Sequence, residues 1–217
     1  MDTYNYKTEI IEDVSSKFEF FRKVVILGEN NVGKTALLNQ LINKSFTEEY
    51  KSTKGYEFKI MLIKVNETVI KMQIWDMCGS ESYRPSLFNL SRNAQLAILV
   101  YSISSRQSFD ILKDWIPKLR EQSSQKPIIK IILIGNKNDD EDKREVSFED
   151  GKQLYEEFNL EHFEEINAVN EIKSPNFMEI GAICLYKDYD NSNNNDCTIS
   201  YILDAKDIDQ PKKQKCC

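Results

Sequence analysis

Gly28 to Thr35, GENNVGKT, fits the pattern G-x-x-x-x-G-K-[ST] and stands between the apolar run RKVVIL and a stretch with helical apolar spacing. In that setting the spacing prescribes a definite chemistry. Backbone N–H groups of such a loop wrap a row of phosphates, and the following helix adds its positive end. Lys34 then bridges the β- and γ-phosphates, and the Thr35 hydroxyl ligates Mg²⁺. Gly28, Asn30, Asn31, Val32, Gly33, Lys34, Thr35 and Ala36 are the expected phosphate-binding residues. Asn31 falls where so tight a loop calls for a positive φ, which Asn tolerates better than most residues.

Two further segments suit a nucleotide. Trp75-Asp76-Met77-Cys78-Gly79 closes an apolar run. There the Asp76 carboxylate is placed to hold Mg²⁺ through water, and the Gly79 N–H to meet a γ-phosphate. Gly135-Asn136-Lys137-Asn138-Asp139 follows another such run. Asp139 can accept two hydrogen bonds from guanine N1 and N2, which adenine cannot offer, so GTP is favoured over ATP. A nucleotide kinase is the weaker reading, because an Arg-rich lid segment is missing.

These segments need strands that end where the loops begin. Apolar runs recur at Val24 to Leu27, Phe58 to Val65, Val69 to Trp75, Leu96 to Tyr101, Ile128 to Ile134 and Phe163 to Ile166, which predicts six strands. Helical patterns span Lys34 to Ile42, Ser108 to Gln122, Phe148 to Phe158 and Pro175 to Tyr186. Phe109, Leu112, Ile116 and Leu119 form one stripe of the second. Ser174 is the expected N-cap of the last, with Pro175 at its first position. Alternation of this kind predicts a three-layer α/β fold, a mostly parallel sheet with helices on both faces. The short Asn66-Glu67 connection adds one hairpin and so one antiparallel strand.

The chain has 217 residues, enough for one substantial domain with tails. Its 41% hydrophobic and 29% charged composition is that of a globular protein. A net charge of −6 argues against a nucleic-acid partner, which requires clustered Lys and Arg. Five cysteines without C-x-x-C spacing suit a reducing compartment. No secretory signal and no spanning segment are expected. The lone His162 beside a strand reads as structural. Residues 1–20 form an N-terminal extension left either to disorder or to a partner contact. From Lys187 the chain becomes polar and Asn-rich, as a tail does.

Taken together, residues 20 to 186 and the last two cysteines resemble a small GTPase of the Ras superfamily, most like the Rab branch. The resemblance implies a P-loop GTPase fold, a GTPase domain over 21–186 and a hypervariable tail over 187–217. FTEEYKST, Phe46 to Thr53, resembles the first switch, with Phe46 beside the guanine and Thr53 on Mg²⁺ and the γ-phosphate. KGYEF, KMQIW and LVYSIS resemble Rab segments, with Phe58 and Trp75 in the surface that effectors read. Cys216-Cys217 resembles the Rab signal for two geranylgeranyl groups, and two lipids anchor stably where one does not. Lys212, Lys213 and Lys215 add attraction to anionic lipid. The implied partners are guanine nucleotide, effectors, exchange factors, GTPase-activating proteins, prenylation and membrane-extraction chaperones, and an intracellular membrane. The implied location is the cytoplasmic face of that membrane, with a cytosolic pool.

Three departures matter. Rab proteins usually carry D-T-A-G-Q-E in the second switch, where this chain has DMCGSE. Ser80 replaces the glutamine that orients the attacking water and is too short to reach the same position unaided. The guanine loop S-A-K stands as Asn167-Ala168-Val169, which keeps the alanine whose N–H reads the guanine oxygen and loses the lysine. Leu90 to Ala94, LSRNA, lacks the usual aromatic pair. With Ser80, Gly79 and Lys34 as the catalytic set, hydrolysis is expected to be slow without an activating protein. The alternative is a non-hydrolysing, GTP-bound membrane scaffold.

Overall fold

The computed structural model describes residues 6–43, 53, 55–81, 84–122, 128–170 and 176–194. The strands are β1 (Thr8–Ile11), β2 (Phe20–Leu27), β3 (Tyr56–Val65), β4 (Thr68–Met77), β5 (Leu96–Ser102), β6 (Lys130–Asn136) and β7 (His162–Ile166). The helices are α1 (Lys34–Asn43), α2 (Arg84–Ser91), α3 (Arg106–Gln122), α4 (Phe148–Glu157) and α5 (Phe177–Asn194). They form one sheet in the order β1-β3-β4-β2-β5-β6-β7. Only β3 runs against the others, since it is antiparallel to both β1 and β4 while every other pairing is parallel.

The α/β architecture agrees with the expectation, but the sheet has seven strands among the described residues and not six. The additional one comes from the N-terminal extension, where Thr8–Ile11 pairs with Leu62–Val65 of β3. Four residues, TEII, are too few to show a period. Tertiary partners hold them in place. Thr8 Oγ1 donates to Glu179 Oε1 of α5 (2.8 Å), the Tyr6 ring meets Tyr186 edge-on at 5.9 Å, and Asn66 N donates to Lys7 O (2.8 Å).

Burial explains why the central strands lack alternation. Leu96, Ile98 and Val100 of β5 pack toward α1 and α5, while Ala97, Leu99 and Tyr101 pack toward α2, α3 and α4, and all are buried. A strand covered on both faces needs apolar residues at every position. On α3 the stripe Phe109, Leu112, Ile116 and Leu119 is buried as its spacing predicts, with Trp115 beside it. Each such side chain contributes about 1.5–3 kcal/mol.

The helix boundary that differs most is that of α5. Ser174 and Pro175 lie outside the described residues, and α5 starts at Phe177 with Asn176 as its cap. Asn176 Oδ1 accepts from Met178 N (2.9 Å) and Glu179 N (3.1 Å), and Glu179 Oε2 accepts from Asn176 N (3.0 Å). These bonds satisfy the free N–H groups of the first turn. The same helix runs past Tyr186 to Asn194, into the stretch expected to be tail. α2 has no counterpart among the predicted helices, because its eight residues carry only a weak apolar stripe. The loops that follow β2, β4, β6 and β7 all emerge at the carboxyl edge of the parallel strands, where open α/β sheets bind ligands.

Candidate functional site

The phosphate loop turns tightly between β2 and α1, and Asn31 adopts φ 61° as its position required. Gly33 has φ 95°, and a Cβ there would run into the Asn136 side chain. Lys34 is buried, with Nζ donating to Gly28 O (3.0 Å) and Glu29 O (2.8 Å). Burial lowers its pKa, and the charges of Asp76, Cys78 and Glu29 offset part of that shift. The ammonium is thus held inside the loop that would receive a phosphate.

Three of the expected metal ligands converge from three separate segments. The Thr35 hydroxyl lies 3.0 Å from the Thr53 hydroxyl and donates to Asp76 Oδ2. Asp76, next to last in β4, is 2% exposed, and its Oδ1 is buried without a hydrogen-bond partner. Burial raises its pKa, opposed by the bond from Thr35 and by the charge of Lys34. An unsatisfied buried carboxylate oxygen is costly. Beside two hydroxyls it makes an oxygen donor set suited to a hard cation such as Mg²⁺.

Gly79 follows at close quarters. A Cβ on it would collide with the main chain of Glu29 and Asn30, so this position tolerates only glycine. Ser80, next in the chain, is half-buried beside the phosphate loop. Phe46, Cys216 and Cys217 lie outside the described residues.

At the guanine side, Asn136 joins three loops. Its Nδ2 donates to Val32 O (2.8 Å), and its Oδ1 accepts from Ala168 N (3.1 Å). The Ala168 N–H, the group expected to read the guanine oxygen, donates to Asn136, which satisfies the second end of that buried amide. Lys137 takes φ 65° and lines a cavity of about 250 Å³ with Asn30, Asn31 and Ser104. Asp139 is exposed and open to a base, and Val169, where the family's lysine would stand, is 49% exposed.

Phe58 and Trp75 do come together, with ring centroids 5.7 Å apart, and Tyr56 joins them at 5.0 Å from Trp75. Tyr56 and Phe58 are exposed. Of the LSRNA segment, Ser91 is turned inward and donates to Phe88 O (2.9 Å), so it adds nothing to that surface. Lys23, which no motif marks, holds its Nζ 4.8 Å from the Trp75 ring centroid and donates to Leu90 O. Arg84 and Glu29 also escaped the sequence reading, since their ion pair spans 55 positions. The charge of Glu29 inside a phosphate-binding loop was the one signal for it.

With this geometry in view, the comparisons with known proteins agree. The Ras family model matches residues 23–183. Ras-related protein Rab-3A of Homo sapiens is 38% identical over 153 residues, covering 70% of this chain and 69% of that protein. Ras-related protein RabQ of Dictyostelium discoideum is 40% identical over 146 residues, covering 67% and 71%.

Proposed function

The chain belongs to the Ras family, in its Rab branch of small GTPases, and from that premise we propose that it is a slow, membrane-anchored switch. The observation that supports this most is the meeting of Thr35, Thr53 and Asp76, with an orphaned carboxylate oxygen, directly below a buried Lys34. In this reading the phosphate loop, from Gly28 to Ala36, holds the phosphates of GTP or GDP. Thr35, Thr53 and Asp76 hold Mg²⁺, which supplies charge neutralisation for the phosphates. Gly79 offers its N–H to the γ-phosphate. Asp139 selects guanine, and Phe46 flanks the base. Asn136 and Lys137 shape the pocket, and the Ala168 N–H, beside Asn136, reads the guanine oxygen.

Ser80 is the reason for slowness. Its side chain is shorter than the glutamine by an amide and a methylene, so it cannot span to the attacking water from the same backbone position. An activating protein that brings its own glutamine and arginine would restore the rate. Thr53 and Gly79 report the γ-phosphate, and order in their two segments exposes the Tyr56, Phe58 and Trp75 surface to effectors. We assign 21–186 to the switch domain, 1–20 to an extension whose Thr8–Ile11 joins its sheet, and 187–217 to a tail whose first residues, to Asn194, continue α5. Cys216 and Cys217 carry the lipid anchors that place the protein on the cytoplasmic face of an intracellular membrane, where it recruits effectors in vesicle traffic.

Single-turnover hydrolysis of bound GTP, wild type against Ser80→Gln, tests this reading. Wild type is expected to be slow and Ser80→Gln faster by about tenfold or more. An ordinary Rab rate in wild type with no gain in the variant would overturn the role given to Ser80. A protein that never turns over, even with an activating protein, would be a GTP-bound scaffold.

A further inference from the structure

Arg84 opens α2 and reaches two carboxylates, Glu29 Oε1 at 2.7 Å and Glu81 Oε1 at 2.9 Å. Glu29 belongs to the phosphate loop, while Glu81 follows Ser80. The two pairs are unequal. Arg84 and Glu29 are 26% and 15% exposed in their side chains, whereas Glu81 is 74% exposed. The pair to the phosphate loop is therefore the better shielded, and salt and water weaken it least.

The same loop residues carry a second contact, since the Gly79 main chain lies directly against that of Glu29 and Asn30. Ser80 is thus bracketed. Before it, Gly79 rests on the phosphate loop, and after it, Arg84 is tied to that loop through Glu29. We infer that Arg84 is a positioning residue that clamps the second switch onto the phosphate loop and so prolongs the residence of a nucleotide that engages that switch. It acts through Glu29. The inference rests on the assignment of this loop as the phosphate site, and it deepens that assignment by naming what regulates it.

A ligand that meets Gly79 through a γ-phosphate gains from the clamp, and one that ends at the β-phosphate does not. Displacement of a fluorescent GDP and of a fluorescent, non-hydrolysable GTP analogue, both with Mg²⁺, separates these cases. Arg84→Met and Glu29→Gln are each expected to speed release of the GTP analogue by about tenfold, as loss of a shielded charge-assisted bond would. In Arg84→Met, GDP release should change by less than about twofold. The double variant should release the GTP analogue no faster than either single one, and Arg84→Lys should recover most of the loss. Should Arg84→Met fold poorly, Arg84→Gln probes the same pair with the same GDP control.

Equal acceleration of both nucleotides would mean general loosening and would overturn the inference, as would additive effects or none. Release is read without hydrolysis, so a result that defeats the role of Ser80 leaves this test standing. If wild type bound neither nucleotide, both readings would fall together.

Discussion

At the phosphate end of the cleft, Lys34 and Asp76 are 7% and 2% exposed, and burial disfavours the charged form of each. At the guanine end, the buried polar group is the neutral Asn136, and both ends of its amide are bonded. The first region holds charge that a ligand would satisfy, down to an unpaired Asp76 Oδ1. In the second, the buried amide is already bonded within the protein, and the carboxylate it exposes is Asp139. The contrast separates affinity from scaffold. Phosphate and cation should supply most of the binding energy, while the guanine end keeps the loops in register and selects the base.

Lys34→Ala would test that division most strongly. Nucleotide affinity should fall about a hundredfold in a fluorescence titration, the worth of one or two charge-assisted hydrogen bonds. The melting temperature of the nucleotide-free protein should move by only a few degrees, because relief of a desolvated ammonium offsets the loss of its bonds to Gly28 O and Glu29 O. A large drop in melting temperature with affinity intact would reverse the assignment of the two ends.

Asn136→Ala should do the opposite. Its two bonds link loops separated by 104 and 32 positions, so their loss destabilises the fold itself. About 2 kcal/mol is expected, or a fall of about 4–8 °C in a thermal melt without nucleotide. An unchanged melt would show that the three loops hold together without it.

Asp139→Ala sharpens the comparison on a smaller scale. An exposed carboxylate contributes little to folding, so the melt should move by less than about 1 °C. GTP affinity should weaken by about tenfold, with ATP competing better than before. Competition binding at matched nucleotide concentrations reads both numbers.

Much of this site was legible without coordinates. The glycines, Lys34 and Thr35 sit at fixed offsets within one turn of chain, and the positive φ of Asn31 follows from that same local geometry. Asp76 could be named from its place near the end of a strand and Thr53 from the resemblance of its segment to a first switch, and they do meet Thr35. Other residues carried no local mark. Arg84 looks like any helix-opening arginine until Glu29 is seen beside it, and Lys23 gains meaning only from Trp75 and the end of α2. β1 is too short for its period to register, and α2 is too weakly amphipathic.

By itself the sequence determined that a strand, a phosphate loop and a helix follow one another and that the central strands are buried on both faces, and it favoured a guanine nucleotide over an adenine one. The local conformation of such a loop and the apolar pattern of a strand or helix recur over a few positions, so spacing and residue type suffice to read them. Only the tertiary structure decided where individual polar atoms point. It turned the Ala168 N–H to Asn136 and left Asp76 Oδ1 unpaired. It also drew Thr8–Ile11 onto the edge of the sheet. Each outcome depends on which loops and helices the strand order brings side by side, and a hydrogen bond between residues far apart in the chain has no period to betray it.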